Sequence, residues 1–204
     1  MGAEGRRAGY FLMTINYYQN HAQRFFADTI NVDMASLYAP FIAHLPPGAR
    51  VLDAGCGSGR DARAFAEMGY QVEAFDASSE MVRLATQHSG LAVKQMTFSD
   101  VDATDRYDGI WCCASLLHVE AHALPQAMRT LAQALKPGGI WYVSFKYGEQ
   151  EREKEGRHFS DFTESTLTAL VNGLANVQVA SMWTTQDKRP DRDETWLNAL
   201  LRKV

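Results

Sequence analysis

Apolar and polar positions along this chain switch repeatedly between two periods. In ARVLDA, YQVEAFD, LAVKQMTF, YDGIWCCAS and IWYVSFK the apolar residues run together or alternate, which is the signature of strands. Between them, RDARAFAEM, SEMVRLATQH and the stretch from Ala121 to Leu135 repeat apolar residues every three or four positions, as helices do. The last of these places Leu124, Ala127, Met128, Leu131 and Leu135 on one stripe. Gly69 closes the first helix, Ser78 caps the second, and KPGG turns the chain out of the third. YDGIWCCAS is apolar enough to be buried on both faces. A helix over 163–172 leads into NVQVASMW and a final strand, TWLNALLRKV. Ahead of all these, Asn16 to Leu45 reads as helical, with Tyr17, Tyr18, Phe25 and Phe26 followed by Leu37, Phe41, Ile42 and Leu45. Asp33 is a cap within it, Pro40 is expected to break or kink its second part, and PPG at 46–48 stops it.

Alternating strands and helices imply an α/β fold: a doubly wound, mostly parallel sheet with helices on both faces. Ligands of such sheets bind outside the carboxyl ends of the strands, near the switch in strand order. The glycine turn at 55–59, Asp76, FSD at 98–100 and ASLLH at 114–118 all follow expected strands, so they can meet in one crevice.

Composition narrows the class. The chain has 204 residues, enough for one domain with a full core, and its 46% hydrophobic and 22% charged content is that of a soluble globular protein. A formal net charge of -4 without a long basic run argues against nucleic acid as a partner. No apolar run is long enough to span a membrane. Cys56, Cys112 and Cys113 are odd in number and lack metal-ligand spacing, which points to free thiols, no metal and a cytoplasmic location. MGAEGRRAGYFL at the start has too short an apolar stretch for a signal peptide. Met13 is an alternative start, and residues 1–12 are expected to be a disordered extension ahead of a single domain over 13–204. Monomer and homodimer both stay open.

The chemistry is concentrated in VLDAGCGSGRDAR, residues 51–63. A P-loop needs Lys followed by Ser or Thr after its glycines, and Arg60 and Asp61 stand there instead. A dinucleotide turn needs G-x-G-x-x-G, and Arg60 occupies its third glycine position. Variants of that motif soften the exclusion, so a nicotinamide-dependent oxidoreductase remains an alternative. The leading acid separates the readings. Asp53 would repel a pyrophosphate, whereas it can hold the ammonium of a zwitterion such as the methionine part of S-adenosylmethionine, directly or through water. The glycines let the backbone approach a ligand closely, and the following helix N-terminus suits a carboxylate. Asp76 ends the next strand about twenty residues on, where an acid takes ribose hydroxyls in either nucleoside reading.

VLDAGCGSG, FDAS and LKPGG resemble, in order, the first motif, the second motif and the turn before the fifth strand of the class I S-adenosylmethionine-dependent methyltransferases. The resemblance runs over roughly residues 16 to 204. Within that class, YYQNHAQRFF, GCGSGRD, SLLHV, SFKYG and GRHF are similar to a subgroup of small bacterial enzymes described as tellurite-resistance-like methyltransferases. The resemblance implies a Rossmann-like core over 49–204, a seven-stranded sheet with an antiparallel last strand near 194–202, and N-terminal lid helices over 13–45. It implies S-adenosylmethionine as cofactor, leaving as S-adenosylhomocysteine. Asp53, Gly55, Cys56, Gly57 and Gly59 would surround the methionine part, and Asp76 would hold the ribose. Ala77 and Met81 would pack near the adenine, Phe98 and Ser99 would flank its edge, and Cys113 and Ala114 would line the floor below the sulfonium. Many relatives carry Gly-Asp where this chain has Phe98-Ser99-Asp100, which leaves the reader of the adenine amine open.

The acceptor side is less determined. In-line displacement at an activated methyl needs alignment and exclusion of water more than any obligatory catalytic residue. Amino-group methyltransferases of nucleic acids carry an Asn/Asp-Pro-Pro-aromatic run after the fourth strand, and CASLLHV stands there instead, which favours a small-molecule acceptor. Tyr18 is either core or a lid residue touching the ligand, and His118 is either structural or substrate-facing. Lys146 ends the fifth strand, and Arg157 lies in GEQEREKEGRHF, read as a solvated loop able to fold over the cleft. With His118 they are expected to give the cleft mouth a positive potential suited to an anionic acceptor. A non-catalytic module that binds the cofactor is the remaining alternative.

Overall fold

The apolar runs become the centre of one sheet. In chain order the strands are β1 (Arg50–Ala54), β2 (Gln71–Asp76), β3 (Lys94–Gln95), β4 (Tyr107–Cys112), β5 (Leu135–Lys146), β6 (Glu151–Lys154), β7 (Arg157–Ser160), β8 (Val177–Gln186) and β9 (Thr195–Lys203). The helices are α1 (Ala3–Thr29), α2 (Ala35–Ile42), α3 (Arg60–Glu67), α4 (Ser79–Ser89), α5 (Leu124–Ala134) and α6 (Glu164–Asn172). The structure, a computed structural model, describes residues 3–189 and 192–204, with backbone alone for 3–11.

The seven-stranded sheet has the order β3-β2-β1-β4-β5-β9-β8. Every pairing up to β5 is parallel, and β9 is antiparallel to both β5 and β8. This is the Rossmann-like architecture with an antiparallel last strand that the sequence implied. The order reverses between β1 and β4, so a crevice opens at their carboxyl ends.

β4 feeds both faces, as its composition requires. Ile110 and Cys112 join Trp141, Val143 and Phe145 under α5 and α6, where Leu124, Met128, Leu131, Leu167 and Val171 are buried. Trp111 turns the other way and packs with Tyr142, Phe65 of α3, and Tyr38 and Phe41 of α2. The Trp111 and Tyr142 rings stack with centroids 3.8 Å apart.

Several local expectations shift. α1 begins at Ala3, within the stretch read as an extension, and residues 1 and 2 lie outside the described residues. α1 bends at His21, whose φ of -118° and ψ of 17° leave the helical range. Asp33 Oδ1 accepts from Ala35 N at 2.9 Å, one residue ahead of Met34, which takes the N-cap position of α2 in its place. Pro40 sits inside α2 without ending it; with only two residues beyond it, little of the helix remains to disrupt. Leu135 opens β5 instead of closing α5, yet keeps its place in the core. The third strand shrinks to Lys94–Gln95, an exposed edge, because Thr97 and Asp100 close a capping box immediately after it. The segment read as a solvated loop contains a hairpin, β6–β7. Its turn residues Glu155 and Gly156 have φ of 53° and 72°, as a type I′ turn demands.

Candidate functional site

The turn after β1 is a backbone device. Gly55 N and Cys56 N both donate to Phe75 O of β2, at 3.0 and 2.9 Å, which ties the turn to the neighbouring strand. Gly55 has φ of 78°, and a Cβ there would lie 2.6 Å from Ser115 Cβ. What keeps this position bare is thus the chain leaving β4. Ser115 in turn donates from Oγ to Ala54 O at 2.7 Å. Gly59 serves packing: a Cβ there would lie 2.9 Å from the backbone Cα of Ala85 in α4.

Asp53 and Asp76 stand at adjacent strand ends on one cleft. Asp53 is 2% exposed, and its Oδ2 is a buried oxygen with no hydrogen-bond partner in the structure. Burial, reinforced by the nearby Asp61, pushes its carboxyl well above the ordinary carboxylate range. Such an orphan acceptor calls for a cation or a strong donor. Asp76 is differently placed: Oδ2 accepts from Gly57 N at 2.9 Å and Oδ1 from Ser78 N at 3.0 Å. Burial raises its pKa, and these backbone donors oppose the rise. Ser78 also caps α4, its Oγ accepting from Met81 N at 3.3 Å.

The rest of the expected cofactor set divides. Cys56, Ala77, Met81, Phe98, Cys113 and Ala114 line the same cleft with Gly55 and Gly57. Gly59 and Ser99 stand outside this lining. Gly59 is turned against α4, and Ser99 is exposed with its hydroxyl 2.8 Å from Thr97 Oγ1. Ala114 adopts φ of 51°, an uncommon value for a residue with a Cβ. Its N–H donates to Ser144 Oγ at 2.8 Å, so the chain turns sharply at the cleft floor.

Tyr18, His118, Lys146 and Arg157, separated in sequence, all reach this cleft. Tyr18 OH is 2.8 Å from His118 Nε2, and His118 Nδ1 is 2.7 Å from the carbonyl of His158. The expected positive mouth is largely offset. Lys146 Nζ is 2.5 Å from Glu194 Oε1, Arg157 is paired with Glu155 at 2.9 Å, and burial lowers His118 to about 4, which leaves it neutral near pH 7. The Arg157 Nε is buried without a hydrogen-bond partner among the described residues.

Residues 51–139 match the family model described as a methyltransferase domain. Over those residues the chain is similar to that family. The ubiquinone biosynthesis O-methyltransferase of Xanthomonas campestris pv. campestris is 38% identical over 106 residues, 48% of this chain and 43% of that protein. The matched part is thus less than half the length of such curated relatives. The structure of Burkholderia thailandensis 1,6-didemethyltoxoflavin-N1-methyltransferase, with bound 1,6-didemethyltoxoflavin and S-adenosylhomocysteine, is similar over 100% of this chain and 92% of its own, at TM-score 0.78 and 27% identity. Magnesium protoporphyrin IX methyltransferase from Synechocystis PCC 6803, with bound S-adenosylmethionine, shares the fold at TM-score 0.75 and 17% identity, over 95% of this chain and 97% of that one.

The cleft wall also carries a feature that sequence reading missed. Asp61 accepts from Tyr38 OH at 2.5 Å, Trp111 Nε1 at 2.8 Å and Arg60 Nε at 2.6 Å, all inside the cleft wall. In the sequence Asp61 only helps to exclude a P-loop, because nothing local marks an acid in the first turn of a helix as buried. Phe159, Trp196, Asp187 and Arg189 complete the cleft lining from β7, β9 and the segment after β8. A strand pattern with a Glu-Gly turn hides the first of these; the usual turn signal is Asn-Gly or Asp-Gly.

Proposed function

We propose that this chain transfers the methyl group of S-adenosylmethionine to a small-molecule acceptor. One observation carries the cofactor assignment: the partnerless Asp53 Oδ2, buried at the end of β1 beside the glycine turn, wants a cation where a pyrophosphate would be repelled. The ammonium of the methionine part meets that need. Asp76, one strand over, takes the ribose hydroxyls, and Ala77, Met81 and Phe98 continue the cleft toward the adenine. S-adenosylmethionine brings the activated methyl; the chain's own work is to hold it in line with the acceptor and to keep water out.

α1 and α2 are the lid in this reading. Thr14 Oγ1 accepts from His158 N at 3.0 Å, and Gln19 Oε1 accepts from the Ser78 and Ser79 hydroxyls at 3.1 and 3.2 Å, so α1 straps β7 to the N-terminus of α4 across the cleft. The Burkholderia thailandensis structure holds a small molecule as its acceptor, in support of one here. Arg157, with its buried Nε, is the group that favours an acceptor able to become anionic. The tellurite-resistance-like likeness concerns the scaffold and names no acceptor. Three free cysteines suit the cytoplasm, and among the described residues no helix is long and apolar enough to cross a membrane.

Calorimetry with S-adenosylhomocysteine tests the cofactor assignment, with reduced nicotinamide cofactor as the competing ligand. Saturable binding of the first alone is expected. Methyl transfer by the isolated chain to any member of an acceptor panel separates an enzyme from a binding module.

A further inference from the structure

Tyr18 and His118 come from elements 100 residues apart and meet inside the cleft. The geometry settles how their protons lie. A backbone carbonyl can only accept, so the 2.7 Å contact to His158 O makes His118 Nδ1 a donor. In a neutral imidazole Nε2 is then a bare lone pair, and the 2.8 Å contact makes Tyr18 the donor to it. The groups around His118 keep it neutral. Burial disfavours the imidazolium, and the cations of Arg157 on β7 and Lys146 on β5 add to this; Tyr18 on α1 is an uncharged phenol whose pKa burial raises to about 12. Arg157 stands beside Tyr18 and opposes that rise.

The pair also sits on the acceptor side. Asp53 on β1 and Asp76 on β2 fix the methionine and ribose ends of the cofactor in the reading above. β4 lies on the other side of β1 from β2, and His118 follows β4. Phe159 packs against His118 with ring centroids 5.1 Å apart, and Lys146 Nζ lies 4.4 Å from the centre of the Phe159 ring. This wall is aromatic and its lysine is already paired.

Resting on that reading, we propose that the acceptor is a small molecule with a flat face and a proton-bearing O–H or N–H nucleophile, and that Tyr18 and His118 form a two-step relay that removes this proton. The acceptor's proton passes to the Tyr18 oxygen as the Tyr18 proton passes to His118 Nε2. The electron pair left on the acceptor forms the bond to the methyl carbon, and the carbon–sulfur pair stays on sulfur. His118 ends as an imidazolium and returns its proton to solvent after product leaves. Arg157 Nε faces the charge that develops on the acceptor. Tyr18 is the catalytic residue; His118 acts through it.

The test uses the full chain with three proton-bearing probes, catechol, 4-methylumbelliferone and theophylline, and one proton-free probe, dimethyl sulfide. At least one of the first three is expected to be methylated. His118→Asn should lower kcat on that probe by about 100-fold or more, in the range of a lost general base, with S-adenosylhomocysteine affinity held within about threefold. The pH profile separates a relay from a structural role. Wild type should be flat from about pH 6 to 9, whereas the variant's kcat should climb by up to about tenfold per pH unit as solvent base takes over. Nitrogen-15 NMR of the ligand-free chain at neutral pH should show His118 protonated on Nδ1 and bare on Nε2. Methylation of dimethyl sulfide alone or of no probe, a variant profile parallel to wild type, or a protonated Nε2 each overturns the relay. Failure of the wild type to bind S-adenosylhomocysteine would instead remove the reading on which it rests.

Discussion

The Tyr38 hydroxyl donates to Asp61 Oδ1 at 2.5 Å, joining α2 to the first turn of α3 beneath the cleft. Asp61 is 5% exposed, and burial alone would raise its pKa; the Arg60 guanidinium and the donors from Tyr38 and Trp111 overcome this and hold it below the ordinary range. An acid depressed in the folded state contributes stability above its unfolded pKa and loses it as pH falls through the folded value.

Tyr38→Phe removes one hydrogen bond to a charged acceptor, so it should cost about 1.5–3 kcal/mol. Asp61→Ala leaves the Arg60 charge in the cleft wall without its partner and should cost more, about 3–5 kcal/mol. Thermal unfolding at pH 7 and at a pH well below the ordinary carboxylate range checks both, and the penalties should shrink as pH falls through the depressed folded value and the carboxylate is lost. Equal penalties at both pH values would show that packing, not charge, holds α2 in place.

Asp53 has the opposite sign. Its folded pKa is raised, so its contribution is most favourable below the unfolded pKa and is lost as pH rises through the folded value. Asp53→Asn should therefore melt higher than wild type at pH 7, by about 2–4 °C for each kcal/mol relieved, and show no advantage near pH 4. The same variant should bind S-adenosylhomocysteine more weakly. A gain in both stability and affinity would mean that the orphan oxygen has no part in holding an ammonium.

Gly59 and Asp76 separate packing from binding. Gly59→Ala meets the Ala85 backbone and a φ of 75°, so it should lose about 1–3 kcal/mol or more of stability while the folded fraction binds S-adenosylhomocysteine as wild type does. Denaturant unfolding and calorimetry on the same sample read the two effects.

Asp76→Ala removes the acceptor of two backbone N–H groups as well as the proposed ribose contact, and should weaken S-adenosylhomocysteine binding by about 1.5–3 kcal/mol. Unchanged affinity would reassign the ribose to another group.

The sheet was legible because its signals are local. β1, β2 and β4 announce themselves by apolar runs, and Ser78 and Gly69 punctuate them as expected. Asp53 and Asp76 could be placed because the strand that precedes each acid fixes where it ends. What was not legible is of another kind. Gly59 and Ser99 each follow a motif in sequence, but the direction in which a turn presents a residue depends on neighbours such as Ala85 that are distant in the chain. Arg157 lies on a hairpin disguised by charge, and its orphan Nε arises from tertiary burial beside Tyr17, 4.4 Å away. The contact of Tyr18 with His118 spans 100 residues, so each alone read as ambiguous.

Calorimetric titration of the intact chain with S-adenosylhomocysteine, set beside 5′-methylthioadenosine, which lacks the amino-acid part, tests the central claim most directly. Saturable binding of S-adenosylhomocysteine with a Kd below about 1 mM, weaker binding of the truncated nucleoside, and loss of that difference in Asp53→Asn are the predicted results. No heat from S-adenosylhomocysteine at millimolar concentration, or equal affinity for both ligands in wild type, would contradict it.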